Sequence, residues 1–158
     1  MRFLVIAFLI SGPAHTSPEW VEAPVTRHLP GQEQVRGKTY FDAAFSKRSG
    51  TFRAMYDSIL DDRKSVSGEF LVGRFRYRYE SPIPKGGPRL PKHDEEIMEV
   101  VMDCSEHLSG TLSVTYKLKG VIMLVEKSSD DEVLMTQTYG PSTTNDLCEF
   151  AKRRQVTP

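Results

Sequence analysis

The sequence has few cysteines, one asparagine and no excess of charge of either sign. Two cysteines, 21 basic and 21 acidic side chains stand among its 158 residues. Because the charges balance, no overall field attracts nucleic acid or an anionic membrane, so binding to either would need a local patch, and we expect no nucleic-acid partner. The single asparagine, Asn145, is followed by Asp-Leu, which excludes an N-glycosylation site. After the N-terminus the longest apolar run is Val121–Val125, so we predict no membrane span.

Sequence patterns typical of catalysis are also missing. There is no Gly-x-Ser-x-Gly turn and no glycine-rich phosphate loop, since Gly86-Gly87 lies between prolines. Four histidines fall in or near predicted loops without a pair at helical spacing, and we expect them at the surface: His15, His28, His93 and His107. Two acidic runs lie in turn-like polar stretches, where solvation keeps every carboxylate ionised: Asp61-Asp62 and Asp130-Asp131-Glu132. These patterns predict no enzyme activity, no cofactor and no metal site.

The first residues have the layout of a secretory signal peptide. Arg2 precedes an unbroken apolar run, and small residues then lead to Ala14. This order predicts a signal peptide at residues 1–14 and a mature chain that begins at His15. The alternative interpretation is an N-terminal core strand. No cysteine lies near the cleavage position, so we expect a periplasmic or secreted protein that is not a lipoprotein.

Export decides how the two cysteines are interpreted. Cys104 and Cys148 leave the reducing cytosol, and a single disulfide between them is the expected state. The alternative, a metal site, lacks further ligands at a suitable spacing.

Hydrophobic alternation predicts a β-rich domain. Residues 15–37 are polar and proline-spaced, with a short edge strand at Trp20-Val21, and residues 38–158 form one domain. The clearest strand runs from Glu69 to Tyr79, where Gly73 interrupts the alternation and predicts a β-bulge. The continuous apolar run Val121–Val125 is typical of a strand buried on both faces.

One helix is predicted at residues 143–154. Ser142 and its neighbours offer an N-cap, and Leu147, Cys148, Phe150 and Ala151 share one face. Acidic residues come early and basic residues late, as the helix dipole favours. The predicted fold is therefore α+β, mainly β: an antiparallel sheet of about six strands, with the C-terminal helix packed on one face and attached to it by the disulfide.

Three arginines alternate along the clearest strand. Arg74, Arg76 and Arg78 share one face, about 7 Å apart, and Phe75, Tyr77 and Tyr79 share the other. The arginine stripe, as we call these three residues, would suit an acidic protein partner or an anionic polymer. The alternative is a structural face whose guanidinium groups pair with carboxylates of the neighbouring strand.

The order of these features resembles the surface-adhesin protein E family of Gram-negative bacteria. The matching points are Trp20-Val21, the tetrapeptide at 40–43, Asp103-Cys104, the tetrapeptide at 139–142 and Leu147-Cys148. The resemblance implies a sheet with a disulfide-tethered C-terminal helix, a homodimer, and adhesion to host extracellular proteins. One departure is the missing cysteine at the cleavage site, because the family's best-known member looks like a lipoprotein.

Together these features predict a non-enzymatic, exported, adhesin-like domain. We expect it to bind extracellular or envelope proteins, although nothing in the sequence identifies the partner. The alternative is a structural or accessory subunit of a cell-envelope assembly.

Overall fold

The computed structural model describes residues 18–23, 36–57, 62–85, 89–140 and 142–154. Within these residues, eight strands and one helix follow one another: β1 Trp20–Glu22, β2 Gly37–Asp42, β3 Ser46–Asp57, β4 Asp62–Ile83, β5 His93–Asp103, β6 Leu108–Leu118, β7 Val121–Lys127, β8 Leu134–Gln137 and α1 Thr143–Arg153. The α+β, mainly β prediction is confirmed. The signal peptide, His15, His28 and Asp61 lie outside the described residues.

The long strand β4 organises the sheet. Along one edge its first half pairs with β3 and its second half with β2, and β5 lies along the other edge. Strand β6 continues the sheet beyond β5, and both β7 and β8 pair with β6. The second half of β4 thus belongs to a six-stranded open sheet with the order β1-β2-β4-β5-β6-β7.

At the other end the sheet closes on itself. Strand β8 runs parallel to β3, from Arg53 opposite Leu134 to Met55 opposite Thr136, and antiparallel to β6. The pairings β4-β3-β8-β6-β5 therefore form a ring. The observed sheet differs in detail from the predicted antiparallel sheet of about six strands, because the described residues form eight strands and one pair, β3 and β8, is parallel. The parallel pair arises where β8 lies between β3 and β6, and the 22 residues of β4 are enough to take two successive neighbours on one edge.

Two buried clusters fill the two faces of the sheet. The first joins β2, β4 and β5 to the helix: Phe41, Leu71, Phe75, Tyr77, Val100, Met102, Leu147, Cys148 and Ala151. The second lies between strands of the closed ring: Phe52, Ala54, Phe70, Val72, Val101, Leu108, Leu112, Val133 and Met135. The sheet is thus buried on both faces where β4 enters the ring.

The bulge predicted at Gly73 is absent, and that prediction was wrong. Strand β4 keeps a continuous register with β5 from Leu71 to Arg78. The apolar residues change parity because Phe70 and Val72 face the second cluster, whereas Leu71 and Phe75 face the first. A Cβ on Gly73 would lie 2.9 Å from the Phe45 ring and 3.1 Å from the Leu147 side chain. Glycine therefore leaves space for the helix.

The helix begins at Thr143, as predicted, and ends at Arg153, one residue before the predicted end. Ser142 is the N-cap, and its hydroxyl accepts a hydrogen bond from the Asn145 N–H at 3.1 Å. Leu147, Cys148 and Ala151 are buried against the sheet. Cys148 is disulfide-bonded to Cys104, with the two Cα atoms 5.7 Å apart, as predicted. Among the described residues, no helix is both long and apolar enough to cross a membrane.

Candidate recognition surface

Strand β7 is apolar and exposed on both faces. Its side chains retain large exposed fractions, 64% for Val121, 59% for Ile122, 46% for Met123 and 43% for Val125. Burial of this run on both faces was predicted, and that prediction was wrong. The reason is its position: β7 pairs with β6 and, within the described residues, with no other strand. An exposed apolar edge strand is unusual, because its unpaired N–H and C=O groups can pair with another chain.

The connection between β6 and β7 holds this edge in place. Leu118 pairs with Val121 across a two-residue turn, in which Lys119 has φ 51° and Gly120 φ 80°. Positive φ at both turn residues is the geometry that matches the twist of a hairpin. The Asp94 carboxylate accepts hydrogen bonds from the Lys119 N–H at 3.0 and 3.1 Å. Strand β7 is therefore anchored to β5 through its turn.

Basic side chains stand at both ends of the apolar run. Lys119 precedes it and Lys127 follows it, and both are exposed. Within the described part of the chain, neither ammonium group has a carboxylate partner. Lys117 of β6 lies opposite Ile122, and its Nζ is 3.4 Å from Glu95.

The one acidic residue of β7 already has a neighbour. The Tyr116 hydroxyl donates to the Glu126 carboxylate at 3.3 Å. Burial, with the nearby Glu126 and Glu96 carboxylates, raises the pKa of Tyr116 to about 12, so the phenol stays protonated at physiological pH. Glu126 keeps its negative charge, because a neutral phenol does not neutralise it, and as the chain neighbour of Lys127 it points to the opposite face of β7.

The arginine stripe lies on one strand face as predicted, but carboxylates of both neighbouring strands meet it. Arg74 forms an ion pair with the buried Asp42 of β2. Glu95 of β5 lies 3.9 Å from Arg76 and 3.7 Å from Arg78. These pairs favour the structural interpretation of the stripe. A role in binding an acidic partner stays a prediction.

Arg76 is the most enclosed member of the stripe. Its guanidinium carbon lies 4.7 Å from the centre of the Trp20 ring and 4.6 Å from that of Tyr40. Stacking between two aromatic faces is a favourable cation–π arrangement. Burial lowers the pKa of Arg76, opposed by the charge of Glu95. This stack attaches β1 to the sheet, so Arg76 is a structural residue here.

His93 is buried, and its predicted surface position was wrong. The ring Nδ1 lies 2.7 Å from the Pro91 carbonyl oxygen and Nε2 2.8 Å from the Glu96 carboxylate. The rings of Tyr79 and Tyr116 meet it edge-on at 5.8 and 5.1 Å. With no exposed surface and both nitrogens engaged, His93 cannot reach a substrate. It joins Pro91, just before β5, to Glu96 within that strand.

The other candidate groups also have structural roles. His107 is exposed, as predicted, near Asn145. Hydrogen bonds from Ser129 lower the pKa of Glu132, and Asp130 is paired with Arg48. Among the described residues, no three His, Cys, Asp or Glu side chains are grouped to hold a metal ion. A hollow of about 190 Å³, lined in part by Phe45, Arg74 and Glu99, is smaller than usual ligand pockets of about 300 to 1,000 Å³.

Comparisons with family models, with curated proteins and with solved structures find no match to this chain. The resemblance to surface-adhesin protein E, and the adhesin function that it implies, therefore stay predictions. The geometry of the surface is what supports a function.

Proposed function

We propose that this protein is an exported, non-enzymatic binding domain that recognises other proteins through strand β7. The observation that carries the proposal is the exposed apolar edge of β7, described above. A disulfide between Cys104 and Cys148 suits an oxidising compartment such as the periplasm or the extracellular space. The N-terminal apolar run supports export to it.

The chemistry of the edge favours protein binding over catalysis. An extended segment can add to a free sheet edge by backbone hydrogen bonds, while alternate side chains supply specificity. The apolar groups of Val121 and Ile122 would leave water in such a complex, at about 25 cal/mol per Å². Extracellular proteins, as for an adhesin, or envelope proteins of the same cell, as for an accessory subunit, could both supply the strand.

The proposal predicts that charging β7 strongly reduces partner capture. In the variant Ile122→Lys/Val125→Lys both substituted side chains are exposed in the wild type, so the fold should be retained. Loss of two central apolar contacts should weaken binding more than tenfold. Immobilised wild-type and variant proteins should be compared for the proteins they recover from an envelope extract and from extracellular matrix.

A matched control adds the same charge elsewhere. Ser65→Lys/Ser67→Lys places two lysines on exposed positions of β4, away from β7, and should recover the wild-type partners. Arg78→Gln tests the arginine stripe at its most exposed member. Partners that are lost with Arg78→Gln but retained by the β7 variant would contradict the proposal.

A further inference from the structure

We propose that the segment bound by β7 is an extended peptide with an apolar centre and an acidic residue near each end. This inference rests on the proposed function, since it names the chemistry of the partner of that same edge. The peptide adds as a further strand beside β7 and continues the six-stranded open sheet.

The free edge specifies an extended backbone. Strand β7 pairs with β6 from Val121 to Lys127, with a register shift that leaves Met123 without a partner in β6, and its other edge faces no strand of the described residues. A partner strand can hydrogen-bond the unpaired N–H and C=O groups of this edge. Burying the same groups unpaired in the hydrocarbon of a membrane is costly in free energy. A protein strand therefore suits this edge better than a lipid surface does.

The side chains of β7 specify the centre of the peptide. Four large apolar residues are exposed within five positions: Val121, Ile122, Met123 and Val125. Residues that lie opposite one another in neighbouring strands interact directly, and apolar or β-branched pairs are favourable. A peptide with several apolar or β-branched residues at its centre would cover the exposed side chains of Val121–Val125.

The lysines specify the ends. Lys119 and Lys127 flank the apolar run, with Lys117 on the adjacent strand beside its first half. Acidic side chains at matching positions would form ion pairs with them, whereas basic ones would be repelled. The only acidic residue of β7, Glu126, lies beside Tyr116 on the opposite face of the strand from Lys127, so it does not stand between Lys127 and a carboxylate on that face.

The same charges argue against a second copy of this chain as the occupant. An antiparallel pair of β7 strands that aligns the two apolar runs is centred on Met123. That register places Lys119 near Lys127 of the second copy, and it does so at both ends. Like charges facing each other across a strand pair are destabilising.

Binding of synthetic peptides to the full chain tests the inference. Two labelled nine-residue peptides share a centre of alternating valine and threonine, and one has glutamate at both ends where the other has lysine. By fluorescence anisotropy at low salt, the acidic-ended peptide should bind at least about tenfold more tightly. Its affinity should fall as salt rises, because exposed charges are screened over about 10 Å at 0.1 M.

Two variants separate the contribution of the lysine charges to binding from that of the apolar side chains. Lys119→Asn/Lys127→Gln removes both lysine charges, and asparagine tolerates the positive φ of position 119. This variant should bind the two peptides with similar affinity. Ile122→Lys/Val125→Lys should bind neither of them.

Four results would overturn the inference. Equal wild-type affinities for the two peptides would reject the acidic ends but leave β7 as a protein-binding edge. If neither peptide binds, the proposal that β7 binds an extended apolar segment is rejected. The capture experiment with envelope extract then still tests whether β7 binds proteins. A wild-type dimer in sedimentation that Ile122→Lys dissociates would make a second copy the occupant. The wild type is also mixed with phosphatidylglycerol vesicles at concentrations too low for peptide binding. Vesicle binding that Ile122→Lys abolishes would make a membrane the occupant of β7.

Discussion

Replacing Cys148 by serine is expected to lower the free energy of unfolding by about 2 to 5 kcal/mol. The bridge joins residues separated by 44 positions, and in the chain-entropy model a loop of that size stabilises the native state by about 4 kcal/mol. It also fixes the helix to the end of β5, beside the buried Met102. For a domain of this size the loss corresponds to a fall in Tm of roughly 6 to 15 °C.

Calorimetry under non-reducing conditions measures the effect, and two comparisons control for the substitution itself. Cys104→Ser should give nearly the same loss, and the double variant should be little worse than either, because one bridge is removed in all three. Reduced wild-type protein should behave like the variants. Two free thiols in the denatured, unreduced protein would contradict the disulfide.

Replacing Gly73 by valine is expected to destabilise the protein by about 1 to 3 kcal/mol or more. A Cβ at this position would lie 2.9 Å from Phe45 and 3.1 Å from both Leu147 and Met102. All three neighbours belong to or border the cluster beneath the helix, so an added side chain must displace the helix or distort its packing.

Gly68→Val is the matched control, because it makes the same change on the same strand. A Cβ at Gly68 meets nothing within 4 Å, and valine favours extended backbone, so stability should be unchanged or slightly higher. Urea unfolding of the two variants should therefore separate them clearly. Equal midpoints would contradict the close approach of the helix at Gly73.

Features set by nearby residues were predictable from the sequence. The N-cap at Ser142, the apolar face of Leu147, Cys148 and Ala151, and the end of the helix follow from local patterns. The same holds for the alternation of Arg74, Arg76 and Arg78, since successive side chains of a strand point to opposite faces. The disulfide needed only the compartment and the count of cysteines.

Features set by distant neighbours were not predictable. An apolar run such as Val121–Val125 has the same composition at the centre of a sheet as at its edge, and only the pairing with β6 alone exposes it. Gly73 resembles a bulge because both faces of β4 are buried there, which depends on the helix and on the ring. His93 is buried because the rings of Tyr79 on β4 and Tyr116 on β6 pack against it, and neither residue is its neighbour in the sequence.

Amide hydrogen exchange of the full chain with and without the acidic-ended peptide tests the central claim most directly. The account predicts that added peptide slows exchange in β7, between Ile122 and Val125, because outward N–H groups gain a partner strand. The strand β4 around Arg76 and the helix should exchange at unchanged rates. Protection confined to the arginine stripe, with β7 unaffected in a saturated complex, would contradict β7 as the recognition surface.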